Sequence, residues 1–280
     1  MEKAIFRKDY KPYLYIGAFL AVFAIMFAVN FILPIQKTIL VYHFNSINAR
    51  IYHWSILLIC SIAIYYIFKV RKFNLLDLIF AMAFGCLAFH AGWNGYITSI
   101  TTALCYYSAC QIFRKYKQEN KYFSVSVKAL IKSLLLGVVL AVPFSVINNL
   151  AILFSGNSGF KEFNISNVIP SALHALSPGT SEEIIWHFFL LAFVTQVFRG
   201  DIPKNKTTTF LIYFLCVVPH TLLHLPSTFV NNPMGAIVPF LFMSLLFGLP
   251  MTWLVRNRNL QTSMAFHWFI DFARFLFTFF

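Results

Sequence analysis

Three pairs of ionisable residues, each separated by four positions, fall within apolar stretches of the second half of the chain. They are Glu183 and His187, His220 and His224, and His267 and Asp271, with Glu182 directly before the first pair. Residues four apart share a face of a helix, so each pair can point toward one site. Carboxylates and imidazoles that converge in an apolar surrounding can activate water or bind a metal ion. The pattern therefore predicts a polar site between helices late in the chain.

Each pair also has a structural interpretation when taken alone. Thr180 and Glu183 have the spacing of a capping box at a helix start. A pair of histidines on one helix face is typical of polar contacts between membrane helices. Asp271 can pair with Arg274, three residues later. The occurrence of all three pairs on neighbouring predicted helices favours a functional site over three unrelated contacts.

The composition of the chain is that of a membrane protein. Of its 280 residues, 59% are hydrophobic, 11% are charged and 34 are Phe, and the mean hydropathy is +0.72. Soluble domains carry about 25% charged residues, so an ordinary soluble enzyme is excluded. The aromatic content excludes a disordered chain. We predict an all-α fold, a polytopic bundle of eight or nine transmembrane helices.

Nine apolar stretches approach the roughly 20 residues that a spanning helix needs. They are Tyr13–Leu33, Ile51–Phe68, Leu75–Ala91, Tyr96–Phe113, Ala129–Phe154, Glu182–Phe198, Thr208–His224, Ala236–Val255 and Gln261–Phe280. The count falls to eight if one stretch is re-entrant. Residues 1–134 are interpreted as accessory helices and residues 135–280 as the core that carries the site.

The segment Ser155–Thr180, which contains Pro178 and Gly179, is predicted to be an external loop. Glu182 then lies at the external end of its helix. A straight last helix would place His267 about 15 Å from the level of Glu182. The span assignment therefore conflicts with the predicted convergence of the pairs.

Basic residues are distributed unequally between the two predicted sides of the membrane. The net charge is +13, and 18 of the 22 Lys and Arg residues fall on the side of the N-terminus, against three on the other side. By the positive-inside rule this predicts a cytoplasmic N-terminus. The sequence contains no nucleic-acid-binding pattern, so the basic residues indicate a lipid bilayer as partner and no nucleic acid.

The order of the late motifs resembles that of the CPBP family, which includes CAAX prenyl proteases and bacteriocin-processing or self-immunity proteins, also called the Abi family. The resemblance covers roughly residues 135–275. It rests on Glu182-Glu183-x-x-x-His187, on His224 followed by Leu225-Pro226, and on His267-x-x-x-Asp271. Two positions depart from the family pattern, since His187 stands in place of Arg and His220 in place of Phe.

The resemblance implies an intramembrane endopeptidase that uses a glutamate-activated water. Glu182 would be the general base, aided by His224. Glu183 and His187 would position Glu182 and set its charge, and His187 can pair with Glu183 only when protonated. His267 would bind the developing oxyanion. Asp271 would either orient His267 or be neutralised by Arg274. His220 would be a supporting residue at the edge of the cavity.

By the same resemblance, the substrate is a peptide or membrane protein, such as a leader-containing precursor, and no cofactor is expected. A catalytically weak or inactive scaffold, or a bacteriocin self-immunity protein, is the alternative. Zinc is a second alternative, because the glutamates and histidines exceed the three protein ligands of a catalytic zinc site. A transporter is disfavoured because no inverted repeat is present. The bias toward Lys, Ile, Asn and Phe indicates a bacterial cell membrane.

Overall fold

The regular structure of the chain is helical throughout the described residues. The computed structural model describes residues 10–32, 47–89, 93–123, 126–154 and 161–278. The helices of the first half are α1 (Lys11–Ile32), α2 (Ile47–Val70), α3 (Leu75–Leu87), α4 (Trp93–Lys115), the short α5 (Glu119–Tyr122) and α6 (Val127–Phe154). The predicted all-α class is confirmed for these ranges.

The second half contains two long helices that are each interrupted by a π-helical turn. The first consists of α7 (Val168–Glu182), a π turn (Glu183–Phe188) and α8 (Phe189–Val197). Helix α9 (Lys206–Leu223) and the short α10 (Pro226–Asn231) follow it. The second long helix consists of α11 (Pro233–Met243), a π turn (Ser244–Gly248) and α12 (Leu249–Asn257). The last helix is α13 (Leu260–Thr278). In the first π turn the N–H of Phe189 donates to the carbonyl of Ile184, five residues earlier.

Five helices within the described residues are long and apolar enough to cross a membrane. They are Lys11–Val29, Arg50–Val70, Val127–Phe154, Lys206–Leu223 and Pro233–Asn257. The other predicted spans overlap helices that do not meet both criteria; α3, for example, has only 13 residues. The predicted class of multi-pass helical membrane protein therefore stands, whereas the count of eight or nine spans is not confirmed.

The prediction of a loop at Ser155–Thr180 is wrong, because most of the described part of this segment is helical. Residues 161–164 are irregular and Ile165–Asn167 form a 3₁₀ turn, but α7 begins at Val168 and includes Pro178 and Gly179. Thr180 lies inside this helix, so the capping-box interpretation is also wrong. Pro is tolerated inside helices of membrane proteins when neighbouring elements compensate for the lost backbone hydrogen bond. Tertiary packing has here outweighed the local signal of the Pro-Gly pair.

Helix α13 packs mainly against α6 and α7. The buried residues of α6 are small and spaced by four: Ser133, Gly137, Ala141 and Ser145. Such a stripe of small residues lets two helix backbones approach closely. The predicted division at 134/135 falls within α6, and a separation of accessory and core domains stays a prediction.

Gly179 lies where α7 packs closely against the backbone of α13. A Cβ atom at this position would lie 3.0 Å from the Cα, Cβ and N atoms of Trp268. We expect Gly179→Ala to lower the free energy of unfolding by about 1–3 kcal/mol, the usual cost of overpacking. The measurement is thermal unfolding in detergent, with Gly17→Ala as the matched control, because a Cβ at Gly17 meets nothing within 4 Å. Equal stability of the two variants would contradict the close packing.

Basic residues from three separate segments meet at one end of the bundle. Lys11 at the start of α1, Lys69 near the end of α2, and Arg199 after α8 line a single cavity of about 590 Å³. This grouping agrees with their assignment to one side of the membrane. Residues 1–9 and Lys37, which the charge argument also uses, lie outside the described residues.

Candidate active site

Three helices bring the predicted site residues together. Glu182 ends α7 and Glu183 begins the π turn. His220 lies in the last turn of α9, and His224 is at its C-cap, where the helix stops before the Leu225-Pro226 dipeptide because a residue before Pro disfavours the helical conformation. Helix α13 contributes its polar residues from a single face, at spacings of four, four and three: Ser263, His267, Asp271 and Arg274.

Glu182 is the centre of the cluster. Its Oε2 atom is 2.8 Å from Nε2 of His220, 3.6 Å from Nε2 of His224 and 3.6 Å from Nε2 of His267. The expected separation of about 15 Å in level between Glu182 and His267 is therefore wrong. Glu182 follows fourteen helical residues of α7 rather than opening a helix, so it lies deep in the bundle, beside the middle of α13.

Glu183 is fully buried and already hydrogen-bonded. Ser263 donates its hydroxyl to Oε2 of Glu183, and Nδ1 of His267 is 3.0 Å from Oε1. A buried charge is tolerated only when it is paired and hydrogen-bonded, and these two partners meet that requirement. Glu183 is thereby fixed in place and is not free to react.

His267 lies between three carboxylates. Its Nδ1 atom contacts Glu183, and its Nε2 atom lies 3.5 Å from Oδ2 of Asp271 as well as 3.6 Å from Glu182. The imidazolium form donates from both ring nitrogens, which suits carboxylate oxygens on both sides of the ring. Asp271 in turn forms an ion pair with Arg274, whose Nη2 atom lies 2.9 Å from Oδ1. Both predicted contacts of Asp271, to His267 and to Arg274, are present.

His187 lies within ion-pair distance of Glu183, as its predicted pairing requires, but no hydrogen bond joins the two side chains. Its Nε2 atom lies 3.9 Å from Oε1 of Glu183, an ion-pair distance only, and it is buried without a hydrogen-bond partner among the described residues. Nδ1 is instead 2.9 Å from the hydroxyl of Thr252. Because that hydroxyl donates to the carbonyl of Gly248, Nδ1 of His187 must be the donor to Thr252.

His220 is more central than predicted. It was expected at the edge of the cavity, but it is buried, and among the three histidines around Glu182 it makes the shortest contact. Its ring lies parallel to that of Trp186, with centroids 6.2 Å apart. Its Nε2 atom is also 3.3 Å from Nε2 of His224. One of the two residues that depart from the family pattern is thus the closest imidazole to Glu182.

Two cavities, each of about 250 Å³, adjoin Glu182. The first also contains His224, His267 and Arg274, and its apolar lining includes Ile152, Phe242, Phe247, Met251 and Ile270. The second is lined by Tyr52, Thr98, His174, Ser177, Pro178 and Ser181. Glu182 therefore stands between two cavities, and the apolar lining of the first suits a peptide side chain.

Among the described residues, Glu182, His220 and His224 form a group that could hold a metal ion. One ligand atom from each lies within 4.8 Å of the others. Glu183 and Asp271 belong to the same cluster but already have other partners. A metal ligand set is therefore available on the cavity side of Glu182.

Sequence reasoning missed two residues of the site, Ser263 and Thr252. Ser263 lies four residues before His267, so the polar stripe of α13 could have been extended backward by the spacing that links His267 to Asp271. Thr252 has no such signal. It meets His187 only because two separate helices pack together.

The fold and the site define a multi-pass helical membrane protein with a buried carboxylate–imidazole cluster that opens into a cavity. Residues 164–273 match the model of the Rce1-like family, described as type II CAAX prenyl endopeptidase Rce1-like. The match confirms the family resemblance for this segment, which is less than half of the chain and contains the site residues except Arg274. It supports a membrane endopeptidase as the kind of protein. No curated protein and no solved structure matches the chain.

Proposed function

We propose that this chain is an intramembrane endopeptidase in which Glu182 activates a water molecule. The observation that carries the proposal is the position of Oε2 of Glu182, which borders a cavity and lies within 3.6 Å of ring nitrogens from His220, His224 and His267. A carboxylate held beside a cavity can act as a general base toward water, and neighbouring imidazoles can pass the proton on. The family match at residues 164–273 supports the same class of reaction.

The proposed reaction is hydrolysis without a covalent intermediate. Glu182 takes a proton from water, and the resulting hydroxide adds to the carbonyl carbon of the peptide bond. The carbonyl oxygen becomes an oxyanion, toward which Nε2–H of His267 donates. The tetrahedral species then collapses, the C–N bond breaks, and the proton passes to the leaving amine. The products are a carboxylate and an amine, with His224 assisting the proton transfers.

The other polar residues act by positioning in this scheme. Glu183 fixes the ring of His267 through Nδ1, and Asp271 lies beside Nε2 of the same ring. Arg274 neutralises Asp271, which removes a charge that would otherwise repel the oxyanion. Donors fixed toward a developing oxyanion contribute strongly in a low-dielectric site.

We infer that the substrate is a peptide or membrane protein, with a leader-containing precursor as the favoured type. The apolar lining of the first cavity, including Phe247 and Ile270, favours an apolar side chain beside the cleaved bond. The protein is proposed to reside in a bacterial cell membrane with its N-terminus in the cytoplasm, as the distribution of basic residues indicates.

One observation favours a second candidate function, a catalytically weak scaffold or bacteriocin self-immunity protein. His187 replaces the family Arg and leaves Glu183 without a hydrogen bond from that position. An Arg guanidinium is permanently charged and can bind a carboxylate through two hydrogen bonds. Loss of that interaction is compatible with a protein that binds a peptide without cleaving it.

The test is a cleavage assay with the purified chain in proteoliposomes. Membrane-bound peptides of three kinds are supplied: leader-containing precursors, prenylated C-terminal CAAX peptides, and peptides of scrambled sequence. We expect mass spectrometry to find a single cleavage in a leader-containing precursor, with one ¹⁸O atom in the new carboxylate when the solvent is H₂¹⁸O. Tight binding of a precursor without any cleavage would favour the scaffold instead.

A further inference from the structure

We propose that Glu182, His220 and His224 form a binding site for a zinc-type divalent cation, and that an ion bound there holds the protease inactive. The binding part stands on the geometry alone. The inhibitory part rests on the proposed function, because it concerns the role of Glu182 as base.

The three ligand atoms form a triangle of the size that zinc requires. Oε2 of Glu182 and Nε2 of His220 are 2.8 Å apart, the two Nε2 atoms of His220 and His224 are 3.3 Å apart, and Oε2 of Glu182 is 3.6 Å from Nε2 of His224. Zinc bonds of about 2.0–2.1 Å in a tetrahedron place neighbouring ligands about 3.3 Å apart. The three observed distances, 2.8, 3.3 and 3.6 Å, are distributed around this value.

The convergence of these atoms fits a bound cation as well as a shared proton. Each of the three atoms carries a lone pair when the imidazoles are neutral and protonated at Nδ1. Without a metal ion, a single proton on Nε2 of His220 would have to serve the contacts to both Glu182 and His224. A cation at the centre satisfies all three lone pairs at once. The fourth position would face the cavity, which leaves room for water, as in zinc sites with three protein ligands.

An ion at this position weakens the proposed base. A cation bound to Oε2 withdraws electron density from the whole carboxylate, so Glu182 accepts a proton from water less readily. Glu183 cannot replace it, because that residue is buried and bonded to Ser263 and His267. Asp271 is already paired with Arg274. A bound zinc ion therefore opposes catalysis by Glu182 in this cavity.

His220 distinguishes this site from the CPBP pattern. The CPBP pattern has Phe at this position, so a chain that follows the pattern would offer only two of the three ligands. The ring of His220 is oriented by Trp186, which lies parallel to it, and is buried in the bundle. His220→Phe is thus a direct test, since it removes one ligand and keeps an aromatic ring against Trp186.

The binding experiment uses the purified full chain in detergent micelles, stripped of metal and titrated with Zn²⁺ against a chromophoric chelator. We expect one Zn²⁺ per chain, and Co²⁺ in its place should show the intense visible absorption of a tetrahedral site. His220→Phe should weaken Zn²⁺ binding at least about 10-fold, since even loss of an outer-shell partner costs about 10–100-fold. The control is His174→Phe, the same change at an exposed histidine outside the ligand set.

Two results would overturn the site: no Zn²⁺ binding by the wild type at micromolar concentration, or equal binding by wild type and His220→Phe. Neither readout requires protease activity, so the site can be judged even if the proposed function fails.

The inhibitory part is tested by cleavage with and without Zn²⁺, each variant being compared with its own metal-free rate. We expect Zn²⁺ to suppress wild-type cleavage and a chelator to restore it. The activity that His220→Phe retains should be unaffected at the same Zn²⁺ concentration. Loss of wild-type cleavage on chelation, with recovery on adding Zn²⁺, would overturn the inhibitory role and indicate a catalytic ion.

Discussion

Replacement of Glu182 by Gln is expected to lower the rate of peptide-bond cleavage by about 10²–10⁴-fold, the range that general base catalysis contributes. Gln preserves the shape of the side chain and one oxygen acceptor for His220, so the helices around it should pack as before. An amide nitrogen or oxygen cannot take a proton from water at neutral pH. The measurement is the initial rate of cleavage in proteoliposomes, normalised to the amount of folded protein.

The matched control is Glu162→Gln, the same substitution at an exposed residue of the irregular segment before α7. It should cleave at the wild-type rate and should show the same thermal unfolding midpoint as Glu182→Gln. Cleavage by Glu182→Gln at a rate close to that of the control would refute the assignment of Glu182 as the base. A partner-binding phenotype that survives this substitution while no cleavage is found in any variant would favour the scaffold.

His267→Phe is expected to lower kcat by about 10²–10³-fold, the usual cost of removing one donor to an oxyanion. Phe fills a similar volume but has no N–H to direct at the substrate carbonyl. KM should change little, because the interaction forms only as the oxyanion develops. The measurement separates kcat from KM for a single precursor peptide.

His267→Gln supplies the comparison that distinguishes a donor from a packing residue. The amide of Gln donates hydrogen bonds, so this variant should recover part of the lost kcat, whereas Phe should not. Ser263 still donates to Glu183 in both variants, which limits the loss of stability. Equal kcat in Phe and Gln variants would show that His267 does not act as an oxyanion donor.

Several helices and most residues of the site could be predicted from sequence, because apolar stretches mark helices and i, i+4 spacing marks residues on one helix face. Apolar stretches of sufficient length marked α1, α2 and α6 to within a few residues of their observed ends. The i, i+4 spacing of His267 and Asp271 placed both on one face of α13, and that face does meet Glu182. Local periodicity reports the orientation of residues on their own helix.

The depth of Glu182 could not be predicted, since Pro178 and Gly179 give the local signal of a loop. The helix continues through them because α13 packs against Gly179, a contact between residues almost ninety positions apart. The central place of His220 has the same origin. Its contact with Glu182 depends on how α9 lies against α7, and the sequence of neither helix alone specifies that packing.

The π turn at Glu183–Phe188 limits how this protein can change in evolution. A π turn holds one residue more than an α-helical turn over the same length, and removal of that residue would restore regular helix. A single deletion between Glu183 and His187 would therefore leave α7 and α8 nearly in line with each other. It would shorten the spacing of this pair from four residues to three and turn one side chain by about 100° relative to the other. The length of this stretch is thus tied to the relative placement of Glu183 and His187, whereas substitutions elsewhere in the turn leave that spacing intact.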